Sequence, residues 1–268
     1  METHKNDLWN KTSLCVCSYL KSLGNRRASI VRGAMQSWDQ FLELPFKEKI
    51  FLDDGSPDVN GIQMLKLSQN LNKFDEVRYN PLIHPPHCNF GTLASMTLCQ
   101  NDYIMHIDDD IYITGSYQDC LNILERSLEV LDKDENILGI NLLTMSSQFE
   151  KEWLPGKDYS SSDNFAHPHK YFGSAVSLIR KNLLEKIGLT DIIQWGAQQP
   201  ANWEILLSDD ASSFLVTKGP TPFGIDMDSW LIQSTSENIS WKLIKYDLYK
   251  KFPGLKKLRP VLKKRDLS

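Results

Sequence analysis

Across residues 14–110, short apolar runs alternate with stretches of helical spacing, and this alternation restricts the fold more than any other feature of the chain. Residues 14–19 form a buried strand, and residues 26–41 follow with Ile30, Ala34, Trp38 and Phe41 at helical intervals. Residues 49–52 form a second strand, stopped by the turn chemistry of Asp53, Asp54, Gly55, Ser56 and Pro57. A helix is expected over 62–71, a strand around 76–79, a helix over 91–99 and a strand over 102–107. Four strand–helix repeats at this spacing imply an α/β class with a mixed, mainly parallel central sheet and helices on its faces.

The second half is less regular. Residues 117–131 place Leu121, Leu124, Leu128 and Leu131 on one helical face. Strands are expected at 138–143 and 171–179, a short helix at 181–187, and a long loop at 153–169. The formal charge of −4 is the sum of unlike parts, because residues 242–268 hold ten Lys or Arg against only Asp247 and Asp266. The expected organisation is therefore one domain over 1–236 and a basic amphipathic extension over 237–268.

The strand ends carry the chemistry. Asp108, Asp109 and Asp110 follow an apolar strand directly. Adjacent carboxylates repel one another unless they are solvated or neutralised by a cation. Mg²⁺ or Mn²⁺ takes one or two carboxylates and completes its shell with water and substrate phosphates. Asp108 and Asp110, two positions apart, are the candidate metal ligands. Asp53 and Asp54 end the second strand, and parallel sheets bind ligands at the carboxyl ends of their strands. Asp209 and Asp210 form a third acidic pair. Its two readings are a helix cap and a general base for an acceptor hydroxyl.

Taken in order, these segments resemble the family-2-type glycosyltransferases with the GT-A (Rossmann-like) fold, over residues 12–225. Val16 to Tyr19 is similar to the family's first strand, and Ile50 to Asp58 to its Asp-Asp-Gly-Ser segment. Asn101 to Asp110 is similar to the strand that ends in Asp-x-Asp, Gly173 to Gly188 to the acceptor-side strand and helix, and Asp209-Asp210 to the acidic pair beyond. The resemblance implies transfer of a sugar from a nucleotide-diphosphate sugar to a glycan or lipid-linked acceptor hydroxyl, with Mn²⁺ or Mg²⁺ as cofactor. It implies donor contacts at Cys17, Tyr19, Asp53, Asp54, Asp108 and Asp109, metal ligation by Asp108 and Asp110, and catalysis by Asp210, with Asp209 as the alternative base.

Two other classes stay open. One is a catalytically degenerate nucleotide-sugar-binding protein on the same fold, since the helix at 91–99 lacks the family's Arg-Asn. The other is a sugar nucleotidyltransferase, disfavoured because no Gly-rich loop with a following Lys accompanies the first strand.

Composition adds exclusions and side candidates. With 41% hydrophobic and 24% charged residues, the chain resembles a globular protein and not a disordered one. No apolar stretch is long enough to span a bilayer, and the polar N-terminus lacks a signal-peptide run, so a cytoplasmic location is expected. An acidic body disfavours nucleic acid. The tail over 241–265 has two readings, peripheral contact with an anionic membrane and a helix packed on the domain. His84, His87 and Cys88 are read as a Pro-rich loop rather than a zinc site. Cys15 and Cys17 are expected to face opposite sides of their strand.

Overall fold

The structure is a computed structural model, which describes residues 2–19, 26–53, 56, 70–79, 89–142, 165–166, 175–183, 213–217 and 221–224. The chain divides into two units, Met1–Gly224 and Ile225–Ser268, and every described residue belongs to the first. The expected boundary at 236/237 and the basic tail lie outside the described residues.

Among the described residues there are four α-helices: α1 (Glu2–Trp9), α2 (Arg26–Ser37), α3 (Asn89–Leu98) and α4 (Tyr117–Lys133). The strands are β1 (Thr12–Ser18), β2 (Glu48–Asp53), β3 (Glu76–Tyr79), β4 (Tyr103–Asp108), β5 (Tyr112–Ile113), β6 (Gly139–Asn141), β7 (Phe165–Ala166), β8 (Val176–Arg180), β9 (Phe214–Thr217) and β10 (Phe223–Gly224). Eight form one sheet in the order β3-β2-β1-β4-β8-β6-β9-β7, and β5 and β10 form a separate two-stranded ribbon. β3, β2, β1 and β4 run parallel, whereas β8 is antiparallel to both β4 and β6. The sheet is thus mixed and mainly parallel in its first half, as the strand–helix alternation implies.

Burial explains why the apolar runs become strands. Leu14, Cys15 and Val16 in β1 and Ile104, Met105 and Ile107 in β4 are fully buried, as a parallel sheet covered on both faces requires. One core cluster gathers Cys15, Ile50, Met96, Cys99, Ile104, Ile179 and Phe214, packing α3 against β1 and β2. Edge-to-face aromatic contacts tie outlying parts together. Phe41 meets Phe46 at 5.5 Å and Phe223 at 5.7 Å, and Trp9 meets Phe46 at 5.2 Å. α4 opens on a capping box in which Ser116 and Asp119 satisfy each other's backbone N–H groups.

The structure departs from the sequence expectations in several places. α1 was not anticipated, because its residues are mostly polar and only Leu8 and Trp9 bury. The segment after Asp210 does not begin a helix with a cap in its described part, since Phe214–Thr217 is strand β9, paired in parallel with β6. The loop expected over 153–169 contains strand β7, held antiparallel by β9. The helices expected over 62–71 and 181–187 lie mostly outside the described residues. Among the described residues, no helix is long and apolar enough to cross a membrane.

Candidate nucleotide and metal site

The strand order locates the site. The chain builds β1, then β2 and β3 on one side of it, and places β4 on the other, so the order reverses between β1 and β4. Ligands of open α/β sheets bind in the crevice at the carboxyl ends beside such a reversal. Register brings the ends together there. Cys17 is the Cα partner of both Leu52 and Asp108, and Ser18 is the partner of Asp53.

Each acidic side chain is held differently. Asp53, at the end of β2, is 2% exposed, and its Oδ1 accepts a hydrogen bond from the Ser56 N–H at 2.8 Å. Asp108, the last residue of β4, has a side chain 40% exposed, with Oδ1 3.0 Å from His106 Nε2. Asp109 is 2% exposed, and its Oδ2 accepts from Ser18 Oγ at 2.6 Å. Asp110 is half-buried. Of the three consecutive carboxylates, the middle one is thus turned into the protein and the outer two keep access to solvent. Cys17 and Tyr19, at the end of β1, are half-buried at the same rim.

The turn that carries these groups is stapled from behind. The Ile111 N–H donates to the Asp108 carbonyl at 3.3 Å, closing the turn, and Asp108 N–H donates to the Ala175 carbonyl at 2.8 Å. The end of α2 then holds the next residues. Trp38 Nε1 donates to the Ile111 carbonyl at 2.7 Å, and the Ile113 N–H donates to Ser37 Oγ at 2.9 Å. β10 completes the support by pairing with β5.

Asp108 and Asp110 suit a hard divalent cation that shares its shell with phosphates, since such a site needs only one or two carboxylates. Among the described residues, no three His, Cys, Asp or Glu side chains are grouped to hold an ion. Asp54, Asp209 and Asp210 lie outside the described residues, as do His84, His87 and Cys88.

Two corrections concern the β1 face. Cys15 and Cys17 share a face, because side chains two positions apart on a strand point the same way. Their register partners on β4 are His106 and Asp108, again two apart. His106 is a neighbour of Asp108 that the sequence reading missed. It is fully buried, its Nε2 reaches Asp108, and its Nδ1 lies 3.7 Å from Cys15 Sγ. The signal was present, since a His two residues before Asp108 in an otherwise apolar strand must share the face of Asp108. Cys99, buried beside Cys15, has its thiol pKa pushed well up by that neighbour and by desolvation. Arg180, which the resemblance puts on the acceptor side, donates to the Ile137 and Asp134 carbonyls and stacks over Tyr103.

No family model matches the chain, and no curated protein matches it in sequence. Solved structures of similar fold exist. The crystal structure of S. aureus TarS 1-349 in complex with UDP aligns with a TM-score of 0.49 and 13% identity, covering 80% of this chain and 60% of that one. Mannosyltransferase PcManGT from Pyrobaculum calidifontis, in complex with GDP-Man and Mn²⁺, aligns at 0.46 and 10% identity, over 78% and 57%. Glucosyl-3-phosphoglycerate synthase from Mycobacterium tuberculosis, in complex with Mg²⁺ and UDP, aligns at 0.41 and 12% identity, over 69% and 62%. This chain covers about three fifths of each of these aligned chains, and 36% of the longer TarS chain.

Proposed function

We propose that the chain is a glycosyltransferase that moves a sugar from a nucleotide-diphosphate donor to an acceptor hydroxyl. One observation carries this reading. Asp53 and Asp108 end the two parallel strands that flank β1, beside the reversal of strand order, and Asp110 follows Asp108 on a turn whose next residues are held by Ser37, Trp38 and β10.

In this reading the donor lies across the ends of β1, β2 and β4. Tyr19 offers a ring face to the base, and Asp53 and Asp54 accept from base or ribose groups. Cys17 lines the floor of the crevice between them. Asp109 acts from inside by fixing the end of β1 to the turn. Asp108 and Asp110 hold a divalent cation, which when bound neutralises the charge of the diphosphate leaving group. Asp210 takes the proton from the acceptor hydroxyl as it attacks the anomeric carbon, with Asp209 as the alternative base. The acceptor is a glycan or a lipid-linked glycan, the latter served by the basic segment 241–265 on an anionic membrane.

The test is a thermal-shift screen of the full chain against nucleotide-diphosphate sugars, with and without Mn²⁺. Binding at about 100 times Kd stabilises a fold by ~2.7 kcal/mol, which such a screen detects. The expected result is stabilisation that needs both the metal and one nucleotide sugar. Transfer with that donor should then fall on the order of 100-fold in both Asp110→Asn and Asp210→Asn. Near-normal transfer by both variants overturns the assignment. Stabilisation without any transfer by the wild type favours a binding protein on the same fold.

A further inference from the structure

We propose that His106 is a positioning residue that holds the Asp108 carboxylate in the orientation needed to ligate the divalent cation; this rests on the metal-site reading above. His106 and Asp108 share a face of β4, and His106 Nε2 stands 3.0 Å from Asp108 Oδ1. The imidazole is fully buried while the carboxylate is 40% exposed, so the contact runs from the core to the rim. His106 is therefore fixed by packing, and Asp108 gains its orientation from it.

The chemistry sets the tautomer. A carboxylate that ligates a cation only accepts hydrogen bonds, so positioning by His106 requires a proton on Nε2. Nδ1 then presents a lone pair, and the buried Cys15 thiol, 3.7 Å away, is the group that donates to it. The opposite tautomer would set the Nε2 lone pair against the carboxylate oxygen. Cys15, His106 and Asp108 thus form a directional chain from S–H through imidazole to carboxylate. Its register is set by the pairing of Cys15 with His106 across β1 and β4. Partners behind a ligating side chain orient it and tune its affinity, and their loss commonly weakens metal binding ten- to a hundredfold.

Two measurements test this. The first needs no variant: long-range ¹H–¹⁵N NMR of the wild-type chain reads the His106 tautomer. The expected form is Nε2–H, and a ring protonated on Nδ1 alone overturns the proposal. The second titrates Mn²⁺ by electron paramagnetic resonance, with UDP and GDP in separate arms. His106→Leu should bind Mn²⁺ about tenfold more weakly than the wild type. His106→Gln, which restores an N–H donor at a similar reach, should stay within about threefold. Unchanged Mn²⁺ affinity in a folded His106→Leu chain overturns the proposal, and equal loss in both variants overturns it in favour of a packing role. If the leucine variant fails to fold, the tautomer decides. Failure of the wild type to take Mn²⁺ in either arm sinks the proposed function, while the tautomer still decides whether His106 positions Asp108.

Discussion

Ser18 Oγ donates to Asp109 Oδ2 at 2.6 Å, joining the end of β1 to the acidic turn after β4 across 91 residues of sequence. Both groups are buried, so the bond is sheltered from water. Hydrogen bonds to charged groups contribute ~1.5–3 kcal/mol, and Ser18→Ala is expected to destabilise the fold by about that amount. It should also weaken nucleotide binding, because the rim loses the tie between two of its strands. Denaturant unfolding read beside nucleotide titration checks both, and an unchanged midpoint would refute the role given to this bond.

Gly33 and Tyr112 form a second tie between α2 and the segment after the acidic turn. A Cβ at position 33 would lie 2.4 Å from the Tyr112 hydroxyl oxygen. Gly33→Ala should therefore cost ~1–3 kcal/mol through overpacking. In a Tyr112→Phe background the obstructing oxygen is gone. There the same substitution should cost less, since the ring carbon left 3.2 Å away needs only a small shift and alanine gains up to ~1 kcal/mol over glycine within a helix. A double-mutant cycle of unfolding free energies measures the coupling, and simple additivity would count against the steric account.

Glu48 supplies a control far from the acidic rim. Its Oε1 accepts from Ser13 Oγ at 2.5 Å, from the Gln100 N–H at 2.5 Å and from Asn101 Nδ2 at 3.0 Å. These groups lie at the starts of β1, β2 and β4, the opposite ends from Asp108. Glu48→Ala leaves donors without their acceptor and should cost ~1–3 kcal/mol of stability. Nucleotide and metal affinity of the folded variant should match the wild type in calorimetric titration. A large loss of affinity would mean that the two ends of the sheet are coupled more tightly than their separation implies.

The start of α4 responds to acid. The Ser116 side-chain and backbone hydrogen bonds hold the Asp119 carboxyl below its ordinary value of 3.8. A group whose pKa is depressed by folding contributes stability that is present above its unfolded pKa and fades as pH falls through the folded one. The capping box should therefore help fully at neutral pH and progressively less below about pH 4. The gap in thermal midpoint between wild type and Asp119→Asn should narrow as pH is lowered through that range. A gap independent of pH would show that the charge is not what the cap uses.

The half of the fold that builds the rim was the more legible half. β1, β2 and β4 are apolar runs that end in acidic or turn-forming residues, and the structure places their boundaries within two residues of the expected ones. α4 was legible because its leucines recur at helical spacing. The antiparallel direction of β8 was not, because a buried strand reads the same in either direction. β5, β7 and β10 were missed because each has two residues, too few for any period to show. At the rim, the sequence located Asp108 and Asp110 but could not tell that Asp109 turns inward, since that depends on Ser18, far away in the chain. His106 was not legible as a neighbour of the rim because a single His in an apolar strand, though on the face of Asp108, shows no partner until β1 pairs with β4.

The pairing of β10 with β5 has a kinetic corollary. Phe223 and Gly224 close onto Ile113 and Tyr112, so the brace under the acidic turn arrives more than a hundred residues after the turn itself. Synthesis from the N-terminus delivers β10 after every described strand of the sheet. On a ribosome the first four parallel strands could therefore assemble while the turn still lacks its last support. The protein would gain its shape before its competence, and a nascent chain stopped short of residue 223 would be a folded sheet with a slack site.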